Sequence, residues 1–502
     1  MKTPSLRKSI AVLCSAVVAP LAFGAPSYTV VDIGSLGGTH GIGAAINTAG
    51  WVAGESNTTG DSSTRAVLWK GALQDLSTLG GAYSSGYALN ANGWVTGYSS
   101  LPGEADYHAF LWNGTSLQDL GTLGGNYSFG FAINASGQVT GYAFGPGNAG
   151  FQAFVWSGSS MQGLGTLGGV GSVGFAINAS GQVTGYSYTS AFAQHAFLWN
   201  GTAMQDLGTL GGTNSGGEAI NASGWVTGAA QMPGDAAEHA ILWNGTSHQD
   251  LGTLGGMSSH GYDINANGWV TGTSDVTGNL ARHAFLWNGS TLYDLGTLGG
   301  TNSQGAAINA GGAVVGSAQV SGDTDHAFLW TGTSMVDLNT FMTAGSTFVL
   351  EEATAINDAG QIVAQGSDVN TGDVHVFVLS PAAQASFNFT GFFSPIDNPP
   401  AKNSAKAGQA VPVKFSLHGN QGLGIFAPGY PASQSVDCAT LSATGAVVQI
   451  SAAGGSGLQY SAASDQYTYV WKTDGAWSNS CQQLIVKLKD GSQHVANFQF
   501  KK

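Results

Sequence analysis

The chain reads as all-β: an eight-bladed β-propeller of four-strand repeats, followed by a small antiparallel β-sandwich. Three observations predict this. First, one pattern recurs through residues 27–380: I-N-A-x-G-x-V-x-G, a variable stretch, H-A-F-L-W, a short turn, then Q-D-L-G-T-L-G-G. Its asparagine falls at Asn47, Asn90, Asn134, Asn178, Asn221, Asn265, Asn309 and Asn357, at intervals of 43, 44, 44, 43, 44, 44 and 48 residues. Second, each copy holds four short runs rich in Val, Phe, Trp and Tyr, bounded by Gly, Asn and Ser, which is how strands and tight turns are written in sequence. Third, the array's two ends are complementary fragments. Tyr28-Thr-Val-Val-Asp-Ile33 is a fourth-strand motif with no repeat before it, and the eighth copy stops after its third strand, His375-Val-Phe-Val-Leu379.

The chain opens with a secretory leader over residues 1–24. Lys2, Arg7 and Lys8 form its basic start, residues 10–18 an apolar run too short to span a bilayer, and Ala22-Phe23-Gly24 a small-x-small cleavage pattern with the cut after Gly24. Cys14 has Leu13 where a lipidation site wants a small residue. No later run approaches the roughly 18 apolar residues of a membrane helix. A soluble extracellular or periplasmic protein is therefore expected.

Charge divides the rest. Over residues 27–386 the only Lys and Arg are Arg65, Lys70 and Arg282 against 23 acids, a net of 3 − 23 = −20; from 387 onward eight lysines face five acids, a net of 8 − 5 = +3. The break places a domain boundary at 381–386, giving a repeat domain over 27–380 and a second domain over 387–502. A surface at −20 repels nucleic acid and anionic membranes.

In the third repeat the strands are read as 130–134, 138–142, 152–156 and 161–164. Leu167-Gly168-Gly169 then lets the chain take positive φ as it passes to the next unit. Runs such as His195-Ala-Phe-Leu-Trp199 are apolar on both faces, as in sheets covered on both sides. Four strands in 43–44 residues is the size of a propeller blade. The N-terminal strand completing the last blade would leave no open edge. Tryptophans from Trp69 to Trp330 are expected between blades.

With these motifs in register, the repeats resemble the HAF-type extracellular repeat family, named for the tripeptide at His108-Ala-Phe110, His195-Ala-Phe197, His283-Ala-Phe285 and His326-Ala-Phe328. The resemblance implies secretion and repeat architecture, not an activity. Arg65-Ala-Val67, Gln152-Ala-Phe154 and His239-Ala-Ile241 depart from it. Asp337-Leu-Asn-Thr-Phe341 loses the glycine pair, so the last two blades are expected to join irregularly.

Beyond the boundary, strand-like runs fall at 386–393, 410–417, 433–438, 467–472, 484–489 and 494–500, with Asp490-Gly491 a hairpin signal. Cys438 and Cys481 are a lone pair in an exported chain, with no C-x-x-C partner, and read as one disulfide beside Trp471. Val411-Pro-Val-Lys-Phe415, Tyr469-Val-Trp-Lys-Thr473 and the terminal Phe498-Gln-Phe-Lys501 resemble the PxKF domain at the ends of secreted bacterial proteins, which implies an accessory module.

No catalytic motif stands out. The recurring histidines (His108, His195, His239, His283, His326, His375) lie at equivalent points of different repeats, too far apart to share a metal at about 2 Å, and read as structural hydrogen-bonding groups. The asparagines open hairpin turns. What varies is the loop from strand two to strand three, and its ligand-binding candidates are Glu104, Asp106, Tyr107, Tyr188, Phe192, Asp235, Glu238, Asp323 and Asp325. Aromatic platforms beside carboxylates suit sugar rings. Asp368-Val-Asn370-Thr-Gly-Asp373 is a fragment of a calcium loop lacking its later carboxylate, and the only place where Ca²⁺ is considered; no other cofactor is expected. Two functions stay open: a non-catalytic adhesion protein recognising an extracellular glycan or surface polymer, and a secreted glycan-acting enzyme working through paired carboxylates.

Overall fold

The structure, a computed structural model, describes residues 27–382, 387–427, 429–453 and 457–502. The expected leader and its cleavage site lie outside the described residues. The chain divides into two compact units between Pro381 and Ala382, at the place where its charge changes sign.

The first unit is all-β and β-propeller-like. Numbering the repeats one to eight by their asparagines, repeat three runs Ser128–Ile133, Val139–Phe144, Phe151–Ser157 and Ser160–Gly163, each strand antiparallel to the one before. Repeat five follows the same order, with Ser215–Ile220, Val226–Gln231, Glu238–Trp243 and His248–Asp250 in one four-stranded sheet. The sheets are apolar on both faces because each is covered by its neighbours. Leu68 and Leu76 of repeat one pack with Phe110 and Trp112 of repeat two, and Phe154, Phe197, Phe285 and Phe328 are likewise fully buried.

Polar groups lock one repeat to the next. The main-chain N–H of Ala109 donates to Oγ of Ser128 (2.8 Å), whose hydroxyl donates to the Gly121 carbonyl. The same serine bridge recurs at Ala196–Ser215 and Ala284–Ser303. The asparagines do more than open turns. Oδ1 of Asn134 accepts from the N–H groups of Ser136 and Gln138, while Nδ2 donates to the carbonyl of Asn178 in the following repeat (3.1 Å). Each asparagine clasps the next in this way, and Asn357 donates to Asn47 (2.9 Å), so the ladder returns to its start.

The seam is made by the N-terminal strand. Tyr28–Asp32 pairs antiparallel with Val374–Pro381, in register from Tyr28 opposite Pro381 to Asp32 opposite Phe377. Asp32 there accepts from His375 Nδ1 at 2.7 Å, as Asp206 does from His195 at 2.9 Å within repeat four. The histidines of the H-A-F motif thus pair with the aspartate of Q-D-L in the fourth strand, again at His108–Asp119, His239–Asp250, His283–Asp294 and His326–Asp337. Where the glycine pair is lost, Leu338–Phe341 forms a 3₁₀ turn whose N–H at Asn339 is capped by Asp337, and the passage into repeat eight is irregular as expected.

Every first strand carries a β-bulge. In repeat three the register shifts between Gly130 and Ala132, leaving Phe131 without an opposite partner. The bulge brings the Phe129 carbonyl against Gly141, so that a Cβ at 141 would run into that oxygen. The last glycine of I-N-A-x-G-x-V-x-G exists for this close approach.

The second unit holds two sheets. One is ordered Phe392–Phe393, Ala410–Phe415, Gln466–Lys472, Leu458–Ser461; the other Lys402–Lys406, Gln493–Lys501, Cys481–Lys487, Ala432–Val436, Ala443–Gln449. Trp471, Tyr467, Phe415 and Phe500 are fully buried between them. The expected sandwich needs correcting on two counts. Strands at 402–406, 443–449 and 458–461 were not foreseen, and Lys402–Lys406 runs parallel to Gln493–Lys501, so the second sheet is mixed rather than antiparallel. Sequences such as K-N-S-A-K and A-T-G-A-V-V-Q lack an alternating apolar face because they are edge strands. The run at 386–393 shrinks to Phe392–Phe393, and Ser386 lies outside the described residues. Cys438 and Cys481 form a disulfide, Cα–Cα 5.3 Å, closing 43 residues of chain; a loop of that length is worth about 4 kcal/mol in chain entropy.

Candidate functional site

The variable loops are less free than their composition suggests. In repeat two the Glu104 carboxylate accepts from the Ala82 N–H at 2.5 Å, and in repeat five Asp235 accepts from the N–H and hydroxyl of Thr213. Asp323 does the same to the Thr301 N–H at 3.1 Å, as do Asp61 to Thr39 and Asn148 to Asn126. These are caps that tie the strand-two-to-three loop to the crossing loop after the glycine pair. Each sits at positive φ (60° for Glu104, 58° for Asp235 and Asp323), a conformation that short polar side chains tolerate best. Glu104, Asp235 and Asp323 thus spend a carboxylate oxygen on capping the crossing loop. Asp106 accepts from Asn126 Nδ2 of repeat three at 2.6 Å. Phe192 stands at the capping position in repeat four, at φ 64° and 73% exposed, with no carboxylate to offer. Asp368 accepts from Thr347 Oγ1, just before the first strand of repeat eight, and from Asn370 N and Thr371 N of its own loop. Among the described residues no group of three or more His, Cys, Asp or Glu is placed to hold a metal.

The repeat breaks its own rule more informatively on the first strand. The bulged residues are Ala44, Tyr87, Phe131, Phe175, Glu218, Tyr262, Ala306 and Thr354 in repeats one to eight. A bulge re-aims its side chain, and here it brings the bulged residues of successive repeats into contact. Tyr87, Phe131 and Phe175 touch in sequence, with ring centroids 5.8 and 6.0 Å apart. Neighbouring positions continue the pattern. Tyr98, Tyr142 and Tyr186 each sit opposite the alanine of the third strand; Phe129 lies 5.2 Å from Tyr98 and stacks on Tyr142 at 5.1 Å. Tyr107 and Tyr188, proposed from the loops, join this arc: Tyr107 meets Tyr98 at 5.9 Å and Tyr188 meets Tyr186 at 5.9 Å. Burial foremost, then neighbouring Tyr98 and the Glu55 carboxylate, push the Tyr87 phenol up.

Repeats five to eight carry Glu218, Tyr262, Ala306 and Thr354 at the bulge, and polar and acidic groups gather around them. His260 lies between two carboxylates, Nε2 3.4 Å from Glu218 and Nδ1 3.6 Å from Glu238, and stacks on Tyr262 at 4.8 Å. Asp275 holds Arg282 at 2.8 Å. Between repeats seven and eight a cleft of about 640 Å³ is lined by Gln304, Ser317, Asp323, Asp325, Glu351, Glu352 and Gln365. Burial, then the Asp325 charge, raises the Glu352 carboxyl. Asp263 replaces an alanine of the repeat and accepts from the Ile308 N–H of the next first strand at 2.9 Å; burial raises its carboxyl too.

The structure therefore brings Tyr107 and Tyr188 together with an aromatic arc and places Glu238, Asp323 and Asp325 on the acidic side. The aromatic contacts run through repeats two to four, and the acidic groups concentrate in repeats five to eight. Reasoning from the loops missed Tyr87, Phe131, Phe175, Glu218 and His260. Their signal was the variable x in the S-x-G-x-A-I run before each I-N-A asparagine.

Burial opposes charging His260, but Glu218 and Glu238 outweigh it and raise the imidazole from 6.5 to about 9. A folded value above the unfolded one stabilises fully below pH 6.5 and is lost as pH rises through about 9. We expect an imidazole proton resonance titrating near pH 9, and a stability loss of roughly 1–3 kcal/mol between neutral and alkaline pH. Both should vanish in His260→Gln. Titration of the His260 resonance near its ordinary value would refute the ion-pair assignment.

No family model and no curated protein matches the chain. Among solved structures it is similar to TolB from Acinetobacter baumannii (10% identity, 57% of this chain and 80% of that chain, TM-score 0.31). A putative TolB from Agrobacterium tumefaciens is comparable (13%, 54% and 86%, 0.29). The Pyrococcus horikoshii acylaminoacyl peptidase covers more of this chain (9%, 66% and 59%, 0.38). At these scores the likenesses carry no functional argument, and the site is read from its own residues.

Proposed function

We propose that this chain is a secreted eight-bladed β-propeller of HAF-type repeats that binds an extracellular glycan or surface polymer at the mouth of its ring, with the second unit serving as a PxKF-type accessory module. The observation that carries this reading is the continuous aromatic arc of repeats two to four, in a repeat unit whose repeats five to eight gather carboxylates and amides. Sugar rings present an apolar face for stacking and hydroxyls for hydrogen bonds, and few other ligands use both halves of such a lining. The ladder of eight asparagines returning to Asn47 supports the blade count. The disulfide supports export, since such bonds persist in oxidising compartments. Among the described residues no helix is long and apolar enough to cross a membrane.

A glycan array with the purified full chain tests the reading. Tyr87→Ala combined with Tyr107→Ala should weaken binding about tenfold or more while leaving the melting temperature within a few degrees. Thr115→Ala, in the exposed Asn113-Gly-Thr115 turn, should leave binding unchanged. Retained binding in the double variant overturns the choice of surface.

One observation favours a second reading. Glu352 and Asp325 line one cleft, where burial and then the Asp325 charge raise the Glu352 carboxyl, and a carboxyl so raised near a second one suits a general acid in glycoside hydrolysis. Release of reducing ends from a bound polysaccharide, abolished by Glu352→Gln, would replace the non-catalytic reading with an enzymatic one.

A further inference from the structure

Resting on the reading of this mouth as a glycan site, we infer that its ligand is cationic: an oligosaccharide of free-amine sugars, whose rings stack on the aromatic arc while their ammonium groups face the acids of repeats five to eight.

The first argument is that cationic side chains are scarce in the repeat unit and each already has a partner. Residues 27–386 hold only Arg65, Lys70 and Arg282. Arg65 donates to the Ala82 carbonyl at 3.1 Å, Arg282 is held by Asp275 at 2.8 Å, and the Lys70 ammonium sits over the Trp51 ring at 5.0 Å. The one imidazole carrying charge in the lining, His260, is already flanked by two carboxylates. A uronic or sulfated polymer would find no counter-charge and a net of −20 against it.

The second argument is that carboxylates in the cleft are unspent. Glu351 uses Oε2 on the Ser367 hydroxyl. Asp325 and Glu352 have no hydrogen-bond or ion-pair partner among the described residues, and the Asp325 charge disfavours that of Glu352. Like charges lining one cleft of about 640 Å³ are relieved by a bound cation more than by a neutral hydroxyl.

The third is that the aromatic arc adds to the same preference. Tyrosine faces attract ammonium groups as well as apolar ring faces, and Glu55 adds its negative charge to the surroundings of Tyr87 and Tyr98.

The test compares β-1,4-linked glucosamine oligomers with N-acetylated oligomers of equal length, on the full chain, at a pH where the amine is protonated. The free-amine oligomer should bind at least about tenfold tighter, and the difference should collapse at high salt. It should also collapse in Asp325→Asn combined with Glu352→Gln, a near-isosteric pair that removes like-charge repulsion and so should not lower the melting temperature. The same pair should weaken binding of the N-acetylated oligomer much less than that of the free-amine oligomer, whereas Tyr87→Ala with Tyr107→Ala should weaken both alike. Equal affinity for the two oligomers, or a preference that survives Asp325→Asn with Glu352→Gln, overturns the cationic assignment and leaves glycan binding standing. Binding of oligolysine that ignores the tyrosine substitutions makes the ligand a basic peptide and overturns it as well. Binding of neither oligomer, together with a blank glycan array, overturns the glycan reading and this inference with it.

Discussion

Removing residues 27–36 is expected to open the repeat unit at its seam. The amides of Val374–Pro381 should then exchange with solvent as fast as an unpaired edge. The segment removed supplies the five-residue ladder from Tyr28 to Asp32, the Asp32 acceptor for His375 and the buried Ile33. Ladder bonds at about 1 kcal/mol each, with burial of Val30 and Ile33 at about 2 kcal/mol each, put the loss near or above 5 kcal/mol. That is comparable to the whole stability of an ordinary domain. Repeat eight should suffer first, because Leu379 and Phe377 share a core with Tyr28 and Val30. Hydrogen exchange read by mass spectrometry separates the seam from Glu238–Trp243 in repeat five, which lies far along the array. Unchanged protection at Val374–Leu379 would show that the N-terminal strand does not close the ring.

Replacing Gly141 by alanine should be among the most damaging single-methyl changes in the repeat unit, as should the same change at the equivalent Gly97. The bulge at Phe131 drives the Phe129 carbonyl into the space a Cβ would need. The obstacle is main chain in a two-sided core, not the end of a flexible side chain. Overpacking of this kind typically costs 1–3 kcal/mol, and here the bulge itself must move, so a loss of about 3 kcal/mol or more is expected. Repeat eight carries its own control. Ala364 occupies the equivalent place opposite Ala353, where the register shifts twice, between Leu350 and Glu352 and again between Ala353 and Ala355. Its backbone has room for a Cβ, so Ala364→Gly should cost only about 1 kcal/mol. Denaturant melts of the two variants decide the matter: a Gly141→Ala protein as stable as the parent would mean that the bulge is not what selects glycine.

Much of this molecule was legible before any coordinates. The repeat length, four strands per copy, the orphan strand at Tyr28 and the Cys438–Cys481 pair are all written as local pattern. Local pattern is what a chain of short strands and tight turns depends on. The charge break at 381–386 located the boundary because two units with separate cores need not share a surface composition. The edge strands Lys402–Lys406 and Ala443–Gln449 escaped notice for the opposite reason. With one neighbour instead of two, they are under little pressure to alternate apolar and polar residues.

The site was only half legible. Sequence variation pointed to the strand-two-to-three loops, and the first strands likewise differ from copy to copy. It could not separate a carboxylate that caps a backbone N–H, such as Glu104 or Asp235, from one that faces open space, such as Asp325; both are acids in a variable loop, and only the path of the crossing loop 22 residues earlier in the chain distinguishes them. Nor could it show that Tyr87, Phe131 and Phe175 adjoin. They are separated by a whole repeat in sequence, and their meeting depends on a bulge that re-aims one side chain per sheet. The sequence by itself determined the repeating unit and its ends. The tertiary structure decided which side chains face one another, because closing a ring brings equivalent positions of successive repeats side by side, and neighbours across sheets are set by that closure and not by anything within one repeat.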